Sequence, residues 1–153
     1  MRPPAGYRLP RARRARAPLP RKRDRWRTWT GWRRPNRSWP SPWATYPVRI
    51  LVWHEIVNDA VDGVPVIVTY CPLCDSALAL DRRVDDRVLD FGVSGVLYDS
   101  FLTMFDRQTG SRRNILGHAV EGELAGERLP PVDHVDTFWF ARVAFTPETE
   151  IMR

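Results

Sequence analysis

Residues 64–82 read V-P-V-I-V-T-Y-C-P-L-C-D-S-A-L-A-L-D-R. The first seven residues are apolar and mostly β-branched, which predicts a strand from Val64 to Tyr70 running straight into Cys71. After Cys74 the pattern alternates, with Leu78 and Leu80 on one face, so a second strand is expected over Ala77–Arg82. The Cys-Pro-Leu-Cys segment therefore lies in the bend between two strands. This stretch sets the fold class, a β-rich domain built on short hairpins.

Working outward, Pro47–Trp53 (P-V-R-I-L-V-W) also reads as a strand, and His54–Asp59 as one helical turn. Asp62-Gly63 marks a tight turn between them and Val64. On the other side, Asp85-Asp86 turns the chain, and Arg87–Val93 alternates again, predicting a hairpin with Ala77–Arg82. Gly92–Gly95 reads as a break, Phe101–Phe105 as a strand and Asp106–Gly110 as a second hairpin turn. Asn114–Val120 and Leu124–Leu129 are expected as short strands, and Phe138–Phe145 as a short helix capped by Asp136 or Thr137 and ended by Pro147. The sum is α+β, mostly antiparallel β-sheet of short strands and hairpins with one or two short helices.

Two parts of the chain differ in composition. Residues 1–40 hold 14 of the 24 Lys and Arg but one of the 18 acids, Asp24. Ten basic and seventeen acidic residues follow, a net of −7, so the overall +6 belongs to the tail. Residues 1–43 also hold eight of 14 prolines and five of seven tryptophans, with Leu9 and Leu19 the only branched aliphatics. Such a segment buries too little apolar surface to offset its chain entropy, so residues 1–44 are expected to be a disordered tail and 45–153 a single domain.

Three readings compete for the tail. One is a nucleic-acid arm, with Arg for phosphates and Trp26, Trp29, Trp32, Trp39 and Trp43 for base stacking. The second is a solvated basic linker. The third is a frameshifted or mis-called start in a G+C-rich gene. Trp has one codon, so reading across codon junctions gives Asp at Trp29–Thr30, Ala at Trp39–Pro40 and Gly at Trp43–Ala44. With G or C at free third positions, Pro35–Thr45 then reads E-P-V-V-A-V-A-V-G-D, a buried strand ending in a turn. Partners otherwise stay open, and nucleic acid is expected only if the tail is genuine. No run of 18 apolar residues occurs and no apolar stretch follows the basic N-terminus, so neither a membrane span nor a signal peptide is expected.

The chemistry on offer centres on Cys71 and Cys74. A C-x-x-C bend aims two sulfurs at one point, which suits a soft metal such as zinc, a small cofactor or a thiol–disulfide pair. No second C-x-x-C exists, so a four-cysteine zinc site is excluded. Further ligands would come from His54, His118, His134, Glu55 or an Asp, with His54 preferred because it follows a strand expected beside the Cys-bearing one. The rivals are a redox pair without the helix that usually activates one thiol, and a non-enzymatic structural or interaction module with two buried cysteines. His54-Glu55 is also a candidate acid/base pair, though local bonding explains it as well. Ser94 lacks the G-x-S-x-G surroundings of a nucleophile and reads as a turn residue. Asp81-Arg82 and Asp106-Arg107 read as surface ion pairs at hairpin ends, and Trp53 and Trp139 as core or rim packing. None of this names a reaction.

Several segments resemble one prokaryotic family, the domain of unknown function 3179. They are Y-P-V-R-I-L-V-W-H-E-I-V-N-D (46–59), V-T-Y-C-P-L-C-D-S-A (68–77), D-F-G-V-S-G-V-L-Y-D-S (90–100), M-F-D-R-Q-T-G-S (104–111) and G-H-A-V-E-G-E-L-A-G-E-R-L (117–129). The resemblance covers about Thr45–Ile151 and implies a shared fold without an assigned activity. Two departures stand out. Members carry an E-P-V-x-A-V strand where this chain has its tail, which the shifted frame restores. They also carry an aromatic after the D-R-x-T-x-S turn, where this chain has Arg112-Arg113.

Overall fold

The computed structural model describes residues 14–16, 27–31, 44–138, 141, 144 and 150–152. The order is β1 (Arg14–Arg16), β2 (Arg27–Gly31), β3 (Ala44–Pro47), α1 (Val48–His54), β4 (Ile56–Val61), β5 (Val64–Cys71) and β6 (Ser76–Asp81). It continues with β7 (Arg83–Val84), β8 (Arg87–Val88), β9 (Phe91–Tyr98), β10 (Phe101–Asp106), β11 (Arg112–Asn114), β12 (Ala119–Glu121), β13 (His134–Phe138) and β14 (Glu150–Met152). Sheet orders are β1-β14-β3-β2-β13, β12-β11-β10-β9, β4-β5-β6 and β7-β8. Every pairing is antiparallel except β14 with β3. The α+β, mostly antiparallel architecture expected from the sequence is therefore the one observed. Among the described residues no helix is long and apolar enough to cross a membrane.

β5 is the centre of the molecule, and its unbroken apolar run has a cause. It lies between β4 and β6, and both of its faces are covered. Ile67 and Cys71 pack with Leu80, Phe91, Leu102, Met104 and Leu129 on one side. Val66, Val68 and Tyr70 pack with Ala44, Tyr46, Leu51 and Val132 on the other. The alternation of the strand thus divides two cores, and Cys71 faces the four-stranded sheet.

The turns follow local chemistry. Asp62 and Gly63 sit at φ 50° and 77°, the paired left-handed turn that joins β4 to β5 in tight register. Asp99 and Ser100 (φ 50° and 67°) do the same between β9 and β10. In the Asp106–Ser111 turn the carboxylate of Asp106 accepts bonds from the Thr109 N–H (2.6 Å) and hydroxyl (2.8 Å). Asp106 is fully buried, so it is an internal turn brace and not the surface ion-pair partner expected. Its neighbour Arg107 lies over the Phe105 ring, 5.5 Å from the centroid. Arg82 pairs with Asp90, and Asp81 with Arg83.

Several expectations need correction. Val48–His54 is a helix, not part of a strand. Pro47 (φ −65°) starts it where no N–H is needed, and Glu55 (φ 57°) ends it with its N–H on Leu51 O at 2.7 Å. Only Leu51 is buried, so packing of one side chain overrides the β-branched composition. The following His54–Asp59 is no helical turn, because Ile56–Asp59 is extended against Val66–Thr69. The hairpin expected between Ala77–Arg82 and Arg87–Val93 shrinks to β7–β8, two residues each, since β6 is already paired with β5 across the cysteine turn.

Gly92–Gly95 is no break either. β9 runs through it with a wide bulge, Leu102 facing Leu97 while Met104 faces Val93. Ser94 closes the bulge, its hydroxyl donating to Thr103 O at 2.7 Å and accepting from the Val96 N–H. Asn114–Val120 is two separate strands, β11 and β12, and residues 124–129 form turns with one bridge from Arg128 to His118. Phe138 closes strand β13. The rest of the expected Phe138–Phe145 helix lies outside the described residues, save for helical Ala141 and Ala144. The readings of residues 1–43 lie outside them too, apart from the extended Arg14–Arg16 and Arg27–Gly31. Trp53 is 85% exposed and forms no part of the core, and Trp139 is outside the described residues.

Candidate functional site

The β5–β6 connection is the four-residue loop Pro72–Asp75, closed by the pairing of Cys71 with Ser76. Asp75 takes φ 50°, which lets the chain reverse directly after the second cysteine. The loop is braced from outside. Tyr70 donates its hydroxyl to Asp75 Oδ1 at 2.8 Å, and Ser76 bonds the Cys74 carbonyl at 3.2 Å. Cys74 Sγ lies 3.9 Å from Cys71 O, and both cysteines are free thiols.

The two thiols have unlike surroundings. Cys71 is 1% exposed in the core that includes Leu80, Leu102 and Met104, whereas Cys74 is half-buried against the same core. Burial alone would push the Cys71 thiol up. Hydrogen bonds from the Cys74 thiol and from the backbone N–H groups of Leu102, Cys74 and Leu73 outweigh it and hold the thiol below its ordinary value. Leu73 and Cys74 come from the turn itself. Leu102 comes from β10, at the edge of the β9 bulge, so the third donor is delivered by a different sheet. Peptide N–H groups converging on one point favour negative charge there. The first ultraviolet thiolate step on raising pH is accordingly expected earlier than that of an unperturbed cysteine in a short reference peptide measured alongside. A first step no earlier than the peptide's would remove the electrostatic account of the turn.

His54 ends α1 and is exposed. The next residue, Glu55, accepts the Tyr70 N–H through its carbonyl at 2.7 Å, so the backbone after His54 runs beside the end of β5. Among the described residues no group of three or more His, Cys, Asp or Glu side chains could hold a metal ion. The turn brings Cys71 and Cys74 together, and His54 joins them in no such group. His118 lies on the bridge to Arg128, and His134 begins β13 with its ring bonded to Val132 O at 2.9 Å. Sequence reading missed Asn58, which bonds both the N–H and C=O of Phe91 at 2.8 Å and fastens β4 to β9. It also missed Leu102, since no side-chain signal marks a backbone donor.

A buried polar group lies elsewhere in the fold: Arg113 is 0% exposed. Its Nη1 donates to Gly117 O and Glu127 O, both at 3.0 Å, while Nε and Nη2 find no hydrogen-bond partner among the described residues. Burial pulls the Arg113 pKa down, against the charges of Asp106 and Glu127.

No curated protein and no solved structure matches this sequence. One family model, described as a protein of unknown function (DUF3179), matches residues 42–129 and so takes in the whole of the cysteine turn, the β9 bulge and the Asp106–Ser111 turn. That match spans more than half of the chain, and the chain belongs to this family.

Proposed function

We propose that the Cys71–Cys74 turn binds a thiophilic metal ion. The observation that carries this reading is the tight β5–β6 turn, which holds two free thiols together with Cys74 Sγ 3.9 Å from Cys71 O; the N–H donors of Leu73, Cys74 and Leu102, which help hold the Cys71 thiol below its ordinary value, support it. A cysteine that merely filled a core would have no use for such donors, because burial in hydrocarbon favours the neutral thiol. A thiolate ligand needs them, since the sulfur must lose its proton and keep part of its charge when the ion is bound.

The same arrangement speaks against thiol–disulfide exchange as the main task. An exchanging pair offers its acidic thiol to an incoming partner. Here the thiol with the lowered pKa is the buried one, and Cys74 is the more accessible.

After exposure to zinc or copper(I) and dialysis, the reduced chain should retain about one ion, and Cys71→Ser or Cys74→Ser should abolish retention. Metal content unchanged by both substitutions would end the proposal. Circular dichroism of each variant separates lost ligation from lost folding.

A further inference from the structure

Independently of the cysteine turn, we infer that the free end of the β9–β10 hairpin is an interface between two copies of this chain, related by a two-fold axis that lays the two hairpins against each other in opposite directions. Tyr98 and Phe101 face each other across the last rung of the hairpin and are 47% and 42% exposed. Leu97, opposite the buried Leu102, points to the other face and is still 55% exposed. An antiparallel hairpin at a surface ordinarily turns an apolar face to the core and a polar face to water. This one is apolar on both.

The extent of the patch suits a second copy. With Val93 and Val96, which are also exposed, these side chains offer roughly 400 Å² of apolar surface, taking about 150–250 Å² for a whole aromatic side chain. That is comparable with the largest patch on a typical monomer, about 300–600 Å², which is often functional. A two-fold pair hides the patch twice. At the usual apolar share of about 57%, the whole interface comes to about 1,400 Å², inside the standard range of about 1,200–2,000 Å².

Charge selects the occupant. The tip of the hairpin carries Asp99, and its base, about 20 Å away along β10, carries Arg107. Both are exposed, and among the described residues neither has an ion-pair partner. In opposed hairpins the tip of each copy meets the base of the other. Asp99 of each copy then reaches Arg107 of its partner, the self-complementary pairing that a two-fold axis requires. Tyr98 and Phe101 come against the half-buried Phe105, whose ring already carries Arg107. Residues 88–106 hold three acids and no Lys or Arg, which disfavours nucleic acid as the occupant. A carboxylate at the leading point likewise disfavours a lipid layer.

The test is sedimentation of the full reduced chain from micromolar to millimolar concentration. A monomer–dimer equilibrium is expected, with a dissociation constant in the micromolar range. Phe101→Asp should weaken it by more than about tenfold. Asp99→Asn, which keeps the left-handed turn, and Arg107→Gln should each weaken it by about tenfold, and the double variant should lose no more than either alone. A chain that stays monomeric throughout, a dimer indifferent to Phe101→Asp, or additive losses in the double variant would overturn the inference. So would a monomer that floats with phosphatidylcholine vesicles and ceases to do so in Phe101→Asp, which would assign the patch to lipid. Circular dichroism checks the folding of each variant, and the two charge variants, both at exposed positions, decide the matter if Phe101→Asp misfolds.

Discussion

Gly122→Ala is expected to lower the unfolding free energy by about 4 kcal/mol, among the largest effects a single methyl group can have. Two costs add. Gly122 has φ +100°, a backbone region that a residue with a Cβ enters only with strain of about 1–3 kcal/mol. The new Cβ would also stand 2.6 Å from Ser111 Cα and 2.7 Å from Ser111 Oγ. Ser111 cannot step aside cheaply. Its carbonyl accepts the Asp106 N–H, its hydroxyl accepts the Leu124 N–H at 3.0 Å, and it is fully buried. Relief therefore means parting β11 from β12 or opening the Asp106–Ser111 turn. Against a typical stability of about 5–15 kcal/mol, such a loss should lower the thermal midpoint by about 10 °C or more. Gly126→Ala is the control, because its added Cβ meets nothing within 4 Å and only the backbone term remains. Similar midpoints for the two variants would show that the close approach to Ser111 is not rigid.

Arg113→Met should act in the opposite direction and raise stability by about 2 kcal/mol. The native guanidinium is wholly buried with Nε and Nη2 unsatisfied among the described residues, and each buried unpaired donor costs about 1–3 kcal/mol. The bonds that would be lost leave no orphans. Gly117 O still accepts the Leu129 N–H and Glu127 O still accepts the Ala119 N–H. Asp106 loses a nearby positive charge but keeps its bonds from Thr109. Removing the guanidinium also removes the desolvation cost of its two unsatisfied donors. Met fills the slot, whereas Arg113→Ala would empty it and should be destabilising. Urea unfolding of the two variants checks this, and a destabilised Arg113→Met would mean that the guanidinium is needed by Asp106 or Glu127.

The parts of this fold that could be read from the chain are those written by neighbours in sequence. Asp62-Gly63, the Cys71–Cys74 bend and the Asp106–Gly110 turn each state their geometry in four or five residues. The strand Val64–Tyr70 was legible because both faces are buried and its composition shows it. Val48–His54 misled because β-branched residues favour strands, while burial of Leu51 between α1 and the second core decided otherwise. Distant partners were hidden for a different reason. Asn58 meets Phe91 across 33 positions, and Leu102 reaches Cys71 from another sheet. Such meetings depend on how layers stack, and no local pattern encodes them. The pair Cys71 and Cys74 was thus visible as chemistry, but the electrostatics that distinguish one sulfur from the other were not.

The unequal depth of the two sulfurs also decides how this protein would age. Peroxide arriving from solvent meets Cys74 before Cys71. A sulfenic acid formed at Cys74 would have Cys71 as its nearest nucleophile and condense with it, releasing water. The injury would end as a disulfide that a small thiol can reverse, and the outer sulfur would spare both from irreversible sulfinic acid.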